Sequence, residues 1–218
     1  MTSYTPIQGL DGVFSLHKGN LRSVALVLKD KSICVMSPIS GLSKAAYESL
    51  EAIGKINHVL APNHYHHKGI ATFTKHFPKT KAYANEAAAE RLYSQTKTRF
   101  ESLSNLKELL KRGSTFLEPK GLKTGEVWLK VGGPKLKAWM VVDAFCGPKL
   151  TKAVAEAKQP ELLKTFPNYG ISDKESYSGW AKKQVDKDKP TLLVPCHGSI
   201  VRSPTLPASI NRLLKTLK

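Results

Sequence analysis

The stretch "APNHYHHKGI", residues 61 to 70, sets three of the chain's seven histidines within four positions, directly after the apolar run "HVLAP". Three imidazoles so close together are either three groups to hydrate or three ligands to organise. His64 and His66 are two apart, so in an extended segment both side chains point to the same side. His67 then points away unless the chain turns, and Gly69 makes a turn cheap. One reading is a solvated polar loop. The other, which the neighbouring sequence favours, is a set of metal ligands.

The surroundings of this loop alternate strands with helices. Before it, "GVFSL" (12–16), "SVALVLK" (23–29) and "SICVM" (32–36) are β-rich, and the link "DK" at 30 and 31 suggests a hairpin between the last two. "SKAAYESLEAIG" (43–54) reads as a helix with Ser43 as N-cap, a face of Ala46, Tyr47, Leu50 and Ile53, and Gly54 as its stop. "INHVLAP" (56–62) is a buried strand ended by proline. After the loop come a short helix, "GIATFTKHFP" (69–78), a short strand, "KAYA" (81–84), and a helix capped by Asn85, "NEAAAERLYSQ" (85–95). "LSNLKELLKRG" (103–113) has the 3.6 period of another helix. Strands return at "EVWLKV" (126–131) and "KLKAWMVVD" (135–143), turned by "GGP". A helical stretch is expected from about 148 to 183, interrupted by "FPNYG". A last strand, "TLLVP" (191–195), precedes a C-terminal helix in "PASINRLLKTL" (207–217). With no internal repeat, low-complexity tract or Pro/Ser-rich linker, the pattern predicts one layered α/β domain over residues 1–218.

Composition narrows the function classes. At 41% hydrophobic and 8% aromatic residues the chain is too apolar for disorder. No apolar run reaches the length of a membrane span, and "MTSYTPIQGL" lacks the basic start and apolar stretch of a signal peptide. Cys34, Cys146 and Cys196 are odd in number and far apart, which is no disulfide framework, so a reducing cytoplasmic setting is expected. The charge is the unusual quantity: 34 Lys+Arg against 17 Asp+Glu leaves +17. Such a field draws in anions, from phosphorylated metabolites to nucleic acid. The lysines are scattered, however. The densest places, "KGLKTGEVWLKVGGPKLK" (120–137) and "KKQVDKDKP" (182–190), interleave glycines, acids or apolar residues, and no run of aromatics is spaced for base stacking. A solvated basic surface and a small-molecule, anionic substrate are the expectation; nucleic acid is disfavoured, and nothing here sets an oligomeric state.

The ends of the apolar strands carry the chemistry. "ICVM" delivers Ser37 and Pro38, "HVLAP" delivers Asn63 and the three histidines, "AWMVV" delivers Asp143, and "TLLVP" delivers Cys196 and His197. In layered α/β proteins ligands gather where strand C-termini open into loops. Asp and His donors suit Zn, Fe or Mn. A strand, a His-x-His loop, a helix ending "FP" and a strand like "KAYAN", followed by "MVVDAF" and "LLVPCHG", resemble the metallo-β-lactamase fold superfamily over roughly residues 10 to 200. More closely, "MSPIS", "APNHYHH" and "VVDAFCG" resemble a poorly characterised branch with an Asn-x-x-His-His loop and an incomplete metal motif. The resemblance implies a four-layer αββα sandwich. It also implies a metal site in which His64, His66, His67 and His197 are candidate ligands and Asp143 binds the ion or orients the attacking water.

The departures are specific. The superfamily's His-x-His-x-Asp-His motif, laid from His64, puts Lys68 at the aspartate and Gly69 at the third histidine. Laid to end on His67, it keeps His64 but puts His66 at the aspartate and Pro62 at the first histidine. Both registers stay open. The family's middle histidine should fall between about 120 and 142, where the chain has none. One transition-metal ion, Zn with Fe or Mn as alternatives, is therefore expected rather than two.

Plainer roles exist for each residue. Asp143 could cap the turn into "GPKL", and His197 could satisfy backbone groups. Cys146 and Cys196 read as small buried hydrophobes, with a thiolate ligand as the other option. His17, His58 and His76 read as structural, and Asn63 and Tyr65 could orient a substrate or an imidazole. Three functions follow in order: a metal-dependent hydrolase acting on an ester, amide, lactone or phosphoryl centre; a degenerate relative that binds a metal or anion without hydrolysis; and a basic nucleic-acid-binding protein or nuclease.

Overall fold

The computed structural model describes residues 3–133, 136–150 and 156–217. It divides into two units, Met1–Arg112 and Gly113–Lys218, each with its own sheet and its own apolar core.

The N-terminal unit lays seven strands side by side in chain order: β1 (Thr5–Pro6), β2 (Val13–Lys18), β3 (Leu21–Val27), β4 (Ile33–Met36), β5 (Ile56–Leu60), β6 (Lys81–Ala84) and β7 (Phe100–Ser102). Strands β1 to β4 pair antiparallel, as the "DK" link anticipates; Lys31 there has a left-handed φ of 66°. From β4 to β7 the pairing is parallel, because helices now make the crossovers. These helices are α1 (Lys44–Glu51), α2 (Lys68–His76) and α3 (Glu86–Thr96). Ser43 caps α1 by accepting from the Ala46 N–H, and Asn85 caps α3 by accepting from Ala87. Ala46, Tyr47 and Leu50 of α1 are buried as the period requires.

The periodic run at 103–113 departs from expectation. Helix α4 spans only Leu103–Lys107. The carbonyls that would continue it are taken by Lys29: its N–H bonds to Leu109 O at 2.9 Å and its ammonium to Glu108 O at 2.9 Å. A tertiary contact has overridden helix propensity. Strand β7 immediately before it was hidden by its brevity.

The C-terminal unit holds a six-stranded sheet in the order β11-β13-β12-β10-β9-β8. Its elements are β8 (Thr115–Leu117), β9 (Trp128–Gly132), β10 (Lys137–Val141), β11 (Glu156–Ala157), α5 (Phe166–Tyr169), α6 (Lys174–Asp188), β12 (Leu192–Pro195), β13 (Ile200–Arg202) and α7 (Leu206–Lys215). β9 and β10 pair antiparallel, whereas β10 and β12 pair parallel. Pro134 of the "GGP" turn, and residues 151–155 of the stretch read as helix, lie outside the described residues. The rest of that stretch corrects the expectation. Residues 156–157 form a strand, and Glu161 exchanges two backbone hydrogen bonds of 2.8 Å with Cys146, next to Pro160, which has no N–H to give a helix. "FPNY" is a helical turn rather than an interruption, since proline fits the first turn of a helix. The sheet and α6 are tied by Asp188, a buried carboxylate that accepts from Lys130 of β9 and, at 3.1 Å, from the Trp139 indole of β10. No helix among the described residues is long and apolar enough to cross a membrane.

Candidate functional site

In the N-terminal unit the β5 strand ends at Leu60 and its chain continues into Ala61–His67. The Asn63 side chain, fully buried, shapes this loop. Its Oδ1 accepts from the Tyr65 N–H at 2.9 Å and the His66 N–H at 3.1 Å, an Asx turn that substitutes a side chain for missing ladder partners. His66 Nδ1 lies 2.7 Å from the Ser37 hydroxyl. Ser37 follows β4, has a left-handed φ of 55°, and donates its own N–H to Leu60 O at 3.0 Å. A non-glycine residue held there is a local cost that the surrounding bonds must offset.

The neighbouring histidines have other contacts. His64 is buried, and its Nε2 accepts from the Arg91 guanidinium of α3 at 3.3 Å. The same guanidinium lies 4.7 Å from the centre of the Tyr65 ring, a cation–π contact. His67 Nδ1 donates to the His64 carbonyl at 3.2 Å. The loop is seated by Gly69: a Cβ there would fall 1.8 Å from the Pro38 carbonyl oxygen, so only glycine fits. His58 and His76 take structural places. His58 Nδ1 is 3.1 Å from the Tyr83 hydroxyl, and burial lowers the pKa of this imidazole; His76 stacks on Tyr47 with centroids 4.0 Å apart.

In the C-terminal unit Asp143 and His197 meet, with Nε2 of His197 2.9 Å from Oδ1 of Asp143. Sheet register explains the meeting. The parallel pair β10–β12 ends with Val141 opposite Pro195, so two more residues along each strand bring Asp143 level with His197. The two exits are then stitched by backbone bonds: Cys196 N–H to Val141 O at 2.9 Å, Gly147 N–H to His197 O at 3.1 Å, and Ser199 N–H to Pro148 O at 2.9 Å. Gly198, with φ of 80°, would put a Cβ 2.1 Å from the Gly147 oxygen.

Below this pair sits a residue that no sequence motif singled out. Glu126 is buried and precedes β9. Its Oε1 accepts from the Trp128 indole (2.7 Å), the Val142 N–H (3.3 Å) and the Ala144 N–H (3.2 Å), and its Oε2 from the Asp143 N–H (3.2 Å). Burial, and then the Asp143 charge, push this carboxyl up to about 8, against the pull of the indole and backbone donors. A signal existed: a lone acid at the head of an apolar strand, in "TGEVWLKV". Cys146 is buried, and burial pushes its thiol up to about 12, which disfavours a thiolate ligand; Cys196 is buried as well.

Neither a family profile nor a curated protein matches the sequence. Solved structures do match in fold. The chain is similar to a metallo-β-lactamase from Pontibacter korlensis at 12% identity and TM-score 0.60, covering 98% of both chains. It is similar to the DIM-1 metallo-β-lactamase at 13% identity and TM-score 0.65, covering 99% of both. It also resembles the Flv1 flavodiiron core from Synechocystis at 12% identity and TM-score 0.65, covering 99% of this chain but only 60% of that longer one. The protein therefore has the α/β fold of metallo-β-lactamase type expected from its motifs.

Proposed function

We propose that the chain is a metal-dependent hydrolase-like protein that holds one transition-metal ion, with Asp143 and His197 of the C-terminal unit as ligands and His66 of the histidine loop as a candidate imidazole. The observation that carries this reading is the Asp143–His197 pair, placed at the ends of two adjacent parallel strands in a chain of this fold. The donor chemistry fits: two imidazoles and a carboxylate suit Zn, with Fe or Mn as alternatives. Ser37 engages Nδ1 of His66, which assigns Nε2 to the ion. His64 and His67 are left out of the set because Arg91 and a backbone carbonyl engage them.

When bound, the ion supplies Lewis acidity that makes a water nucleophilic at neutral pH and steadies a developing oxyanion. The protein's own part is arrangement. Ser37 and Asn63 hold the His66 ring at its angle; Asp143, besides binding, can accept a proton from an attacking water. The Arg91 guanidinium, exposed beside the loop, and the +17 charge favour a small anionic substrate with an ester, amide, lactone or phosphoryl centre.

A second reading, a relative that binds metal or an anion without hydrolysis, is favoured by the lack of any histidine between 120 and 142. Elemental analysis of protein purified without a histidine tag tests the first. The expected result is close to one ion per chain, lost in His66→Ala, Asp143→Ala and His197→Ala and kept in His64→Ala. Wild-type protein with no ion, and no uptake of added Zn, Mn or Fe, would transfer support to the non-hydrolytic reading.

A further inference from the structure

Three consecutive backbone N–H groups, those of Val142, Asp143 and Ala144, end on one side chain, the buried carboxyl of Glu126. Strand register accounts for this. The β9–β10 ladder pairs Lys137 with Gly132, Ala138 with Val131, Trp139 with Lys130 and Met140 with Leu129. Continued beyond Met140, it sets Val141 against Trp128 and Asp143 level with Glu126. The β9–β10 ladder ends at Met140, and buried N–H groups left unpaired beyond it would each cost about 1–3 kcal/mol. Glu126 receives all three. In doing so it defines the backbone from which the Asp143 side chain hangs, and that side chain meets His197 at 2.9 Å.

We propose that Glu126 is a positioning residue whose buried carboxyl holds residues 142–144 in the shape that delivers Asp143 to His197, and so completes the ligand set. Only the last step rests on the metal reading. Asp188 shows what a merely structural carboxyl does in the same unit: equally buried, it joins Lys130 and the Trp139 indole, tying α6 to the sheet.

Glu126→Gln separates the two roles. It preserves shape, but an amide nitrogen cannot accept a hydrogen bond. The single Gln oxygen can satisfy the three donors now on Oε1, which leaves the –NH₂ facing the Asp143 N–H. In metal-free protein, amide hydrogen exchange at Asp143 should accelerate, and the ring NMR signals of His197 should shift. With metal, Zn²⁺ affinity measured against a competing chelator should fall about 10–100-fold, the range for losing an outer partner of a ligand. The visible spectrum of the Co²⁺-substituted protein should change in intensity. Asp188→Asn should lower the melting temperature yet leave His197, Zn²⁺ affinity and the Co²⁺ spectrum as in wild type.

A Glu126→Gln protein that melts lower but is unchanged in Asp143 exchange, His197 signals and Zn²⁺ affinity overturns the proposal. A wild type that binds neither Zn²⁺ nor Co²⁺, while Glu126→Gln still releases the Asp143 amide and shifts His197, defeats the metal reading and supports the positioning role. Should the Gln variant not fold, Glu126→Asp, with its carboxyl drawn back by one methylene, is measured in the same way. Faster Asp143 exchange and shifted His197 signals in that variant support the positioning role, and wild-type values of both overturn it.

Discussion

The loop from Asn63 to His67 in the N-terminal unit shapes itself within five residues, whereas Asp143 and His197 in the C-terminal unit stand 54 positions apart in the chain. In the first, an Asn side chain folds back on its own next residues. In the second, two strand registers and a buried carboxyl do the work from a distance. The difference teaches where local chemistry ends. A histidine loop can be read from ten letters, but the Asp–His pair exists only once a sheet has formed.

Yet both regions depend on a glycine pressed against backbone, and this is where the comparison can be broken most forcefully. At Gly69 a Cβ would sit 1.8 Å from the Pro38 oxygen; at Gly198 it would sit 2.1 Å from the Gly147 oxygen, on a backbone with φ of 80°. Backbone cannot give as a flexible side chain can. Gly69→Ala and Gly198→Ala should each lower stability by about 1–3 kcal/mol or more through overpacking, with Gly198→Ala the worse because left-handed strain adds about 1–3 kcal/mol. Urea unfolding measures both. If either variant lies within about 0.5 kcal/mol of wild type, the seat it tests is not rigid, and the histidine loop or the Asp–His pair loses that support.

What was legible in the sequence follows the same line. Ser43 and Asn85 marked helix starts because capping is a bond between near neighbours. The four residues Ser37, His66, Asp143 and His197 could be placed at strand ends from apolar runs alone. Glu126 could not be given a role, because its three backbone partners lie 16 to 18 positions away across a hairpin whose register no local pattern states. Nor could the sequence tell His64 from His66. Their difference is Arg91, 27 positions from His64 and reached only through the crossover helix, against Ser37, 29 positions from His66 and reached only through parallel pairing. Helix α4 was overread for the converse reason: the 3.6 period of 103–113 is real, but Lys29 captures the carbonyls that would extend it.

Acid separates the two units more gently. Six of the seven histidines lie in the first 112 residues and only His197 in the remainder. Burial lowers the pKa of His58, and also of His17, from the ordinary value of 6.5. A base whose folded value is depressed resists protonation in the native state, so its contribution to stability is present above 6.5 and is lost as pH falls through the depressed value. The N-terminal unit should therefore lose protection from amide hydrogen exchange as pH falls below the ordinary histidine value of 6.5, before the C-terminal unit does. His58→Gln, which cannot charge, should flatten the change. Equal acid sensitivity in both units, or a His58→Gln protein with wild-type pH dependence, would remove the buried imidazole as its cause.

The smallest effect concerns charge, on which the two units hardly differ. The first 112 residues carry 16 Lys+Arg against 8 Asp+Glu, and the remaining 106 carry 18 against 9, so the excess of +17 divides almost evenly. A nucleic-acid-binding surface would concentrate its cations, because affinity for a duplex grows with the number of phosphates neutralised together. Several of these lysines are moreover committed within their own unit: Lys18 to the Ser40 and Gly41 carbonyls, Lys130 to Asp188, Lys182 to Asp186 and Lys111 to Asp11. Binding to an arbitrary RNA or DNA duplex should accordingly be weak and non-specific, no tighter than about 10⁻⁶ M at 50 mM salt, and should vanish as salt approaches 200 mM. Fluorescence anisotropy over that salt range gives both the affinity and the slope. Tight binding that survives 200 mM salt would mean that cations scattered along the chain are gathered on one surface, and the nuclease reading would then displace the small-substrate one. Weak binding that disappears with salt leaves the charge as a diffuse field, suited to drawing a small anion toward the proposed site.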